Sequence, residues 1–127
     1  MTHATATIGL DSYATSIDVS GHHILADEPA KLGGKDAGPA PFDLLVASVG
    51  ACTAITLRMY ADRKGWPLTS LKIDLRLSGT PDSRRIDRTL DPQGLTSEQA
   101  QRLAEIAERT PVTLALKAGV AIDTRLA

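Results

Sequence analysis

Between Phe42 and Arg63 the chain carries its most demanding stretch: Phe-Asp-Leu-Leu-Val-Ala-Ser-Val-Gly-Ala-Cys-Thr-Ala-Ile-Thr-Leu-Arg-Met-Tyr-Ala-Asp-Arg. No residue from Leu44 to Leu57 is charged. A strand of this length would be unusual, so the stretch predicts a helix. Arg63 and Lys64 in its last turn, Gly65 after it and Pro67 beyond are what a helix C-terminus shows. Pro41 suits a first helical position, where its missing N–H costs nothing. A helix apolar on every side must be buried on every side. At 1.5 Å per residue, positions 42 to 63 span ~33 Å, about the width of a small domain. The uncharged run is shorter than the ~20 apolar residues a bilayer demands, so a core helix is the better reading than a membrane span. A chain of 127 residues has little material to wrap such a rod. A second copy packing on it would complete the burial, so the expectation is a homodimer with this helix at or near the interface.

Composition narrows the function classes. Net charge is −1 with acids and bases mixed along the chain, which points away from nucleic acid and from anionic membrane surfaces. The aromatics are only Tyr13, Phe42, Tyr60 and Trp66, too few for a base-stacking platform. The first residues lack a basic segment followed by an apolar core, so no secretory leader is expected. A lone cysteine cannot form an intramolecular disulfide, and its use suggests a cytoplasmic protein. The length suits one domain over residues 1–127.

Taken in order, residues 3–10 and 13–19 read as two strands around Asp11-Ser12. A third strand is expected at His22–Ala26 after Gly21. His22 and His23 point to opposite faces of a strand and His3 is the only other histidine, so no metal site is expected. Residues 27–41 form a long proline- and glycine-rich loop, of a kind that is often functional; its Gly33-Gly34 lacks the spacing of a phosphate-binding loop. After the central helix, Leu71, Ile73, Leu75 and Leu77 alternate with Lys72, Asp74, Arg76 and Ser78, which predicts a half-buried strand. A return strand over Arg85–Leu90 and a break at Asp91–Gly94 follow. Thr96 with Gln99 has capping-box spacing at the start of a helix. Thr110-Pro111 opens a short helix to Lys117, and Val120–Leu126 is a last strand. The order βββαββααβ, with its strands grouped, predicts an α+β fold.

Chemistry centres on Cys52, which shares a helix face with Leu45, Ser48, Val49, Ile55, Thr56 and Met59. A free cysteine on an apolar helix face is commonly a packing residue, and a reactive one needs an electropositive, partly exposed setting. Its mid-helix position gives it no help from its own helix dipole, so stabilisation of a thiolate has to come from elsewhere. All three histidines precede residue 24, and no nucleophile–histidine pair is indicated.

The runs Ala26-Asp-Glu-Pro, Gly33-Gly34, Gly38-Pro-Ala-Pro-Phe-Asp-Leu-Leu, Gly50-Ala-Cys-Thr-Ala-Ile-Thr-Leu and Met59-Tyr-Ala-Asp-Arg-Lys-Gly-Trp-Pro-Leu resemble the OsmC/Ohr superfamily. So does the later Thr110-Pro-Val. The resemblance implies an OsmC-like fold, with a long central helix packed against its dimer mate between antiparallel sheets in an intertwined homodimer. It also implies cofactor-free reduction of organic hydroperoxides by a pair of cysteines, the first oxidised to a sulfenic acid and the second closing a disulfide. Cys52 falls on the position of the attacking cysteine, while Thr110 stands where the family has its second. The family's N-terminal arginine has no match near Leu10 or Asp11; its acidic partner aligns with Phe42, one place from Asp43. An arginine of the second subunit, Arg84, Arg85 or Arg88, is a substitute.

Two readings follow. In one, Cys52 is catalytic, with Asp43 and Thr110 as accessory residues and Phe42, Val49, Ile55, Thr56 and Met59 lining the pocket. The partners are then a hydroperoxide and an external thiol that resolves the oxidised cysteine. In the other, the protein is a non-catalytic small-molecule binding or sensing module in which Cys52 only lines the interface pocket. Neither reading involves nucleic acid or a membrane.

Overall fold

The computed structural model describes all 127 residues, which divide into two compact units, Met1–Leu45 and Val46–Ala127.

The first unit is an antiparallel meander of β1 (Ala4–Ile8), β2 (Thr15–Val19) and β3 (His22–Ala26). β3 has the expected bounds; β1 and β2 are shorter than the sequence suggested. The turn between them takes up the difference, with Ser12 at φ 50° and the amides of Ser12 and Ala14 bonded to Leu10 O and Asp11 O. His23 Nδ1 lies 3.1 Å from Asp18 Oδ1. The loop that follows is tightly organised around Asp27, whose side chain accepts from the amides of Glu28 (2.7 Å), Lys35 (3.2 Å) and Ala37 (3.1 Å). These bonds, that of Glu28 first, hold its carboxyl below the usual aspartate range. Gly34 and Gly38 let backbone pass backbone: a Cβ would sit 1.9 Å from Glu28 O at the one and 2.0 Å from Leu25 O at the other.

α1 runs from Pro41 to Lys64, two residues longer than predicted. At its start Ala40 O accepts from Leu44 N, and Asp43 Oδ2 accepts from Ala40 N at 2.9 Å, so Asp43 caps the first turn. At its end Gly65 (φ 69°) and Trp66 return their amides to Asp62 O and Ala61 O, a Schellman closure. The Trp66 ring then rests edge-on against Tyr60, with centroids 5.4 Å apart.

The second unit holds α1 from Val46 onward, the hairpin β4 (Ser70–Thr80) and β5 (Ser83–Gln93), then α2 (Ser97–Ala107) and α3 (Pro111–Ala118). The register sets Ile73 against Leu90, Leu75 against Arg88 and Leu77 against Ile86. β5 passes through the break expected at Asp91–Gly94 and ends at Gln93. Pro92 is tolerated because the two-stranded sheet has only edge strands. Thr96 and Gln99 form the predicted capping box on α2. The core gathers Leu57 and Ala61 of α1, Leu68, and Leu103 and Ala107 of α2. Gly50 lies against the hairpin, where a Cβ would stand 3.0 Å from Leu75 Cδ1.

Two expectations change. Val120–Leu126 forms no strand: no strand of this chain pairs with it, and Val120, Ile122 and Leu126 are exposed. Alternation makes a segment competent for a strand, but the ladder needs an edge within reach. The element order is therefore βββαββαα. Second, by length and composition α1 would suffice to cross a membrane, with mean hydropathy 1.5 over its best window. Val49, Thr53, Leu57 and Ala61 form a buried stripe along it at every fourth residue, which is how a core helix packs. The opposite stripe of Ala51, Ile55 and Met59 stays exposed in the single chain, Ile55 and Met59 at 56% each.

Candidate functional site

Cys52 sits beside the buried stripe, its thiol free and partly buried. One turn on, Thr56 Oγ1 lies 3.9 Å from Cys52 Sγ. A second neighbour comes from sixty residues away: the Val112 amide donates to Cys52 Sγ at 3.5 Å. Val112 is the second residue of α3, and amides at that position have no partner within their own helix. They also form the positive end of the helix dipole, where negative charge is favoured. The dipole that α1 cannot offer its own mid-helix cysteine thus arrives from α3.

Pro111 occupies the first position of α3 and Thr110 its N-cap. Thr110 is completely buried. Its hydroxyl does not cap the helix; it bonds Thr113 Oγ1 at 2.6 Å and reaches Ala107 O at 3.4 Å. On the other side Thr53, also completely buried, donates to Val49 O at 2.6 Å.

Between these threonines lies Arg88 of β5. Its Nη1 donates to Thr53 Oγ1 and to Thr113 Oγ1, both at 2.9 Å, and Nη2 donates to Ala107 O at 2.8 Å. An arginine was expected from the second subunit; this one belongs to the same chain and ties β5 to α1, α2 and α3. Only 12% of its side chain is exposed, and its one carboxylate neighbour, Glu108, lies 3.5 Å away and is itself 64% exposed. On the outer side Arg88 and Glu108 border a cleft of about 560 Å³ between β5 and α2, floored by Ala100 and Ala104.

The other residues named from sequence fall as follows. Thr56 is brought to Cys52, and Thr110 sits at the head of the helix that contacts it. Val49 is 4% exposed and enters the site through its carbonyl, which receives Thr53. Ile55 and Met59 lie on the exposed stripe, and Phe42 is 47% exposed. Asp43 is engaged as the cap of α1, nine residues before the cysteine. Sequence reading missed the Val112 amide, and it offered Arg88 only as one of three candidates from a second subunit, not as a buried group of the same chain. The signal for Arg88 was its parity: it shares the inward positions of β5 with Ile86, Leu90 and Pro92, while Asp87, Thr89 and Asp91 face outward.

Comparisons with known proteins agree with this architecture. A family model described as OsmC-like protein matches residues 33–125. No curated protein matches the chain. Among solved structures, an osmotic stress induced and detoxification response protein of Psychrobacter arcticus is 22% identical with TM-score 0.77, over 91% of this chain and 88% of that one. An organic hydroperoxide resistance protein OsmC of Legionella pneumophila is 22% identical with TM-score 0.69, over 92% and 89%. The organic hydroperoxide resistance protein OhrB of Bacillus subtilis is 23% identical with TM-score 0.65, over 92% and 90%. At these identities the likeness is one of fold.

Proposed function

Since this chain belongs to the OsmC-like protein family, we propose that it is a single-cysteine thiol peroxidase in which Cys52 reduces organic hydroperoxides and an external thiol restores it. The observation that carries the proposal is the Val112 amide on Cys52 Sγ, a donor at a helix N-terminus aimed at the sulfur that must bear negative charge. Relatives named for organic hydroperoxide resistance share the fold, which supports the substrate class.

The thiolate attacks the terminal peroxide oxygen and the O–O bond breaks. The alcohol departs after taking a proton, and Cys52 is left as a sulfenic acid. Thr110 occupies the second-cysteine position, and a hydroxyl cannot close a disulfide. An incoming thiol therefore forms the S–S bond with Cys52 and releases water; a second thiol displaces it, giving reduced Cys52 and a small-molecule disulfide. The working unit in this reading is a homodimer of single-domain chains in the cytoplasm, with the Ala51–Ile55–Met59 stripe covered by the second copy.

The competing reading is a binding module. What favours it is that Thr110 and Asp43 are both engaged in helix-start contacts, so neither is free for catalysis. The deciding experiment is intact-mass analysis after slight excess cumene hydroperoxide with a dimedone-type trap, beside a Cys52→Ser variant. Rapid stoichiometric trapping at Cys52, with peroxide consumption lost in a folded Cys52→Ser, supports the peroxidase. A thiol that stays reduced in the native protein and reacts only once unfolded refutes it.

A further inference from the structure

We infer that Arg88 is the positioning residue of the Cys52 site and its local source of positive charge, an inference that rests on the peroxidase reading for its purpose but not for its test. The guanidinium holds the neighbour of each contact partner at the site: Thr53 follows Cys52, and Thr113 follows Val112. One rigid fork therefore fixes α1 against α3 with Cys52 Sγ facing the Val112 amide, and a third bond to Ala107 O anchors that fork to the end of α2. Planar, always-charged guanidinium suits such a tie better than any other side chain.

The charge is as informative as the geometry. A buried cation is costly unless an anion compensates it closely. Here the close partners are two hydroxyls and a carbonyl, all neutral. The single carboxylate, Glu108, is mostly solvated and shared with Lys117 at 3.1 Å. The charges of α2 and the turn after it, Glu98, Arg102, Glu105 and Arg109, are exposed, as are Asp87 and Asp91 of β5. α1 has none from Leu44 to Leu57, α3 none from Pro111 to Leu116, and β4 presents Leu75 opposite Arg88. The cation is thus held by neutral groups on the residues that follow Cys52 and Val112, the two partners of the thiol–amide contact.

The test is the rate of Cys52 alkylation by iodoacetamide, followed by intact mass across pH, in the full-length protein and in Arg88→Met, Arg88→Lys and Thr113→Val, each checked for native circular dichroism. No peroxide is involved, so failure of the peroxidase reading and failure of this one are separable. Arg88→Met is expected to react at least tenfold more slowly at neutral pH, with its rate–pH profile displaced to higher pH because the cation is gone. Arg88→Lys keeps the charge but not the planar fork, so its profile is expected to return toward the parent's while its rate stays below the parent's, and Thr113→Val, which loses one arm of the fork, falls between Arg88→Met and the parent. Parental rates and profile in folded Arg88→Met overturn the inference. So does an Arg88→Lys profile identical to that of Arg88→Met, since loss of packing alone would then account for both. If Arg88→Met fails to fold, Thr113→Val decides: slowed alkylation upholds the inference and a parental rate overturns it.

Discussion

Replacing Ile55 by Asp should split the proposed homodimer without unfolding the chain. Ile55 and Met59 lie one turn apart on the stripe of α1 that the single chain leaves uncovered, each 56% exposed. Full burial of such a side chain is worth ~1.5–3 kcal/mol, so covering the exposed half contributes ~1–1.5 kcal/mol for each. Two such residues from each of two chains give ~4–6 kcal/mol toward association, before ordering costs. Ile55→Asp removes half of that and places two carboxylates in a dry seam, at several kcal/mol each unless water follows them in. A net loss of ~4 kcal/mol or more raises the dimer Kd about a thousandfold. In the isolated chain the same position is mostly solvated, where substitutions usually change stability by under ~0.5 kcal/mol. The control is Leu57→Ala, two residues along on the buried stripe and completely buried, which should cost ~2–5 kcal/mol of fold stability. Sedimentation equilibrium at micromolar concentration should give twice the 13.4 kDa chain mass for the parent and the single mass for Ile55→Asp, with unchanged circular dichroism. A monomeric parent, or an Ile55→Asp protein that still sediments as a dimer, refutes the argument that the exposed stripe is a subunit seam.

Thr110→Cys should install the missing resolving step. One equivalent of hydroperoxide then yields an intramolecular disulfide with Cys52, read as a loss of two hydrogens by intact mass; a product that remains trappable by dimedone counts against it. Asp27→Asn should destabilise the protein at neutral pH by weakening three backbone bonds. Because the folded-state carboxyl titrates below 3.8, its contribution is fully present above that value and is lost as pH falls through the lower folded-state value. Urea midpoints of parent and variant should therefore converge only in strong acid, and a gap that instead widens below pH 4 would contradict the sign. Gly34→Ala should lower the thermal midpoint sharply, since its methyl would lie 1.9 Å from Glu28 O and backbone cannot step aside; an unchanged midpoint would mean the loop is not held as described.

Much of the architecture was legible because it rests on local rules. The bounds of β3, the Leu71–Leu77 alternation, the Thr96–Gln99 cap and the Gly65 stop of α1 are each dictated by residues within a few positions of one another. The strand expected at Val120–Leu126 failed for a reason of the opposite kind. Its alternation is real, but a strand is a relation between two segments, and no other segment of this chain pairs with it. The all-round burial argued for α1 is a similar case. The chain itself covers only the stripe through Val49, Thr53, Leu57 and Ala61, so the apolar remainder is a statement about what must pack on it.

The site divides along the same line. Cys52 was identifiable as the reactive candidate, but its donor was not, since nothing in positions 110–113 announces that the Val112 amide will meet a sulfur sixty residues earlier. Arg88 is the instructive intermediate. The adjacent charges Asp87 and Arg88 make the second strand look irregular, and that irregularity hid the simpler reading. Strand parity is strict: if Ile86 and Leu90 face inward, so does residue 88. A cation forced to an inward position among Ile86, Leu90 and Leu75 must find buried acceptors or unfold the hairpin. It finds them in two threonine hydroxyls and a carbonyl beside the only cysteine. A hydrophobic residue at 88 would satisfy the strand at lower cost, so the presence of arginine there is explained by the site it serves and not by the sheet that carries it.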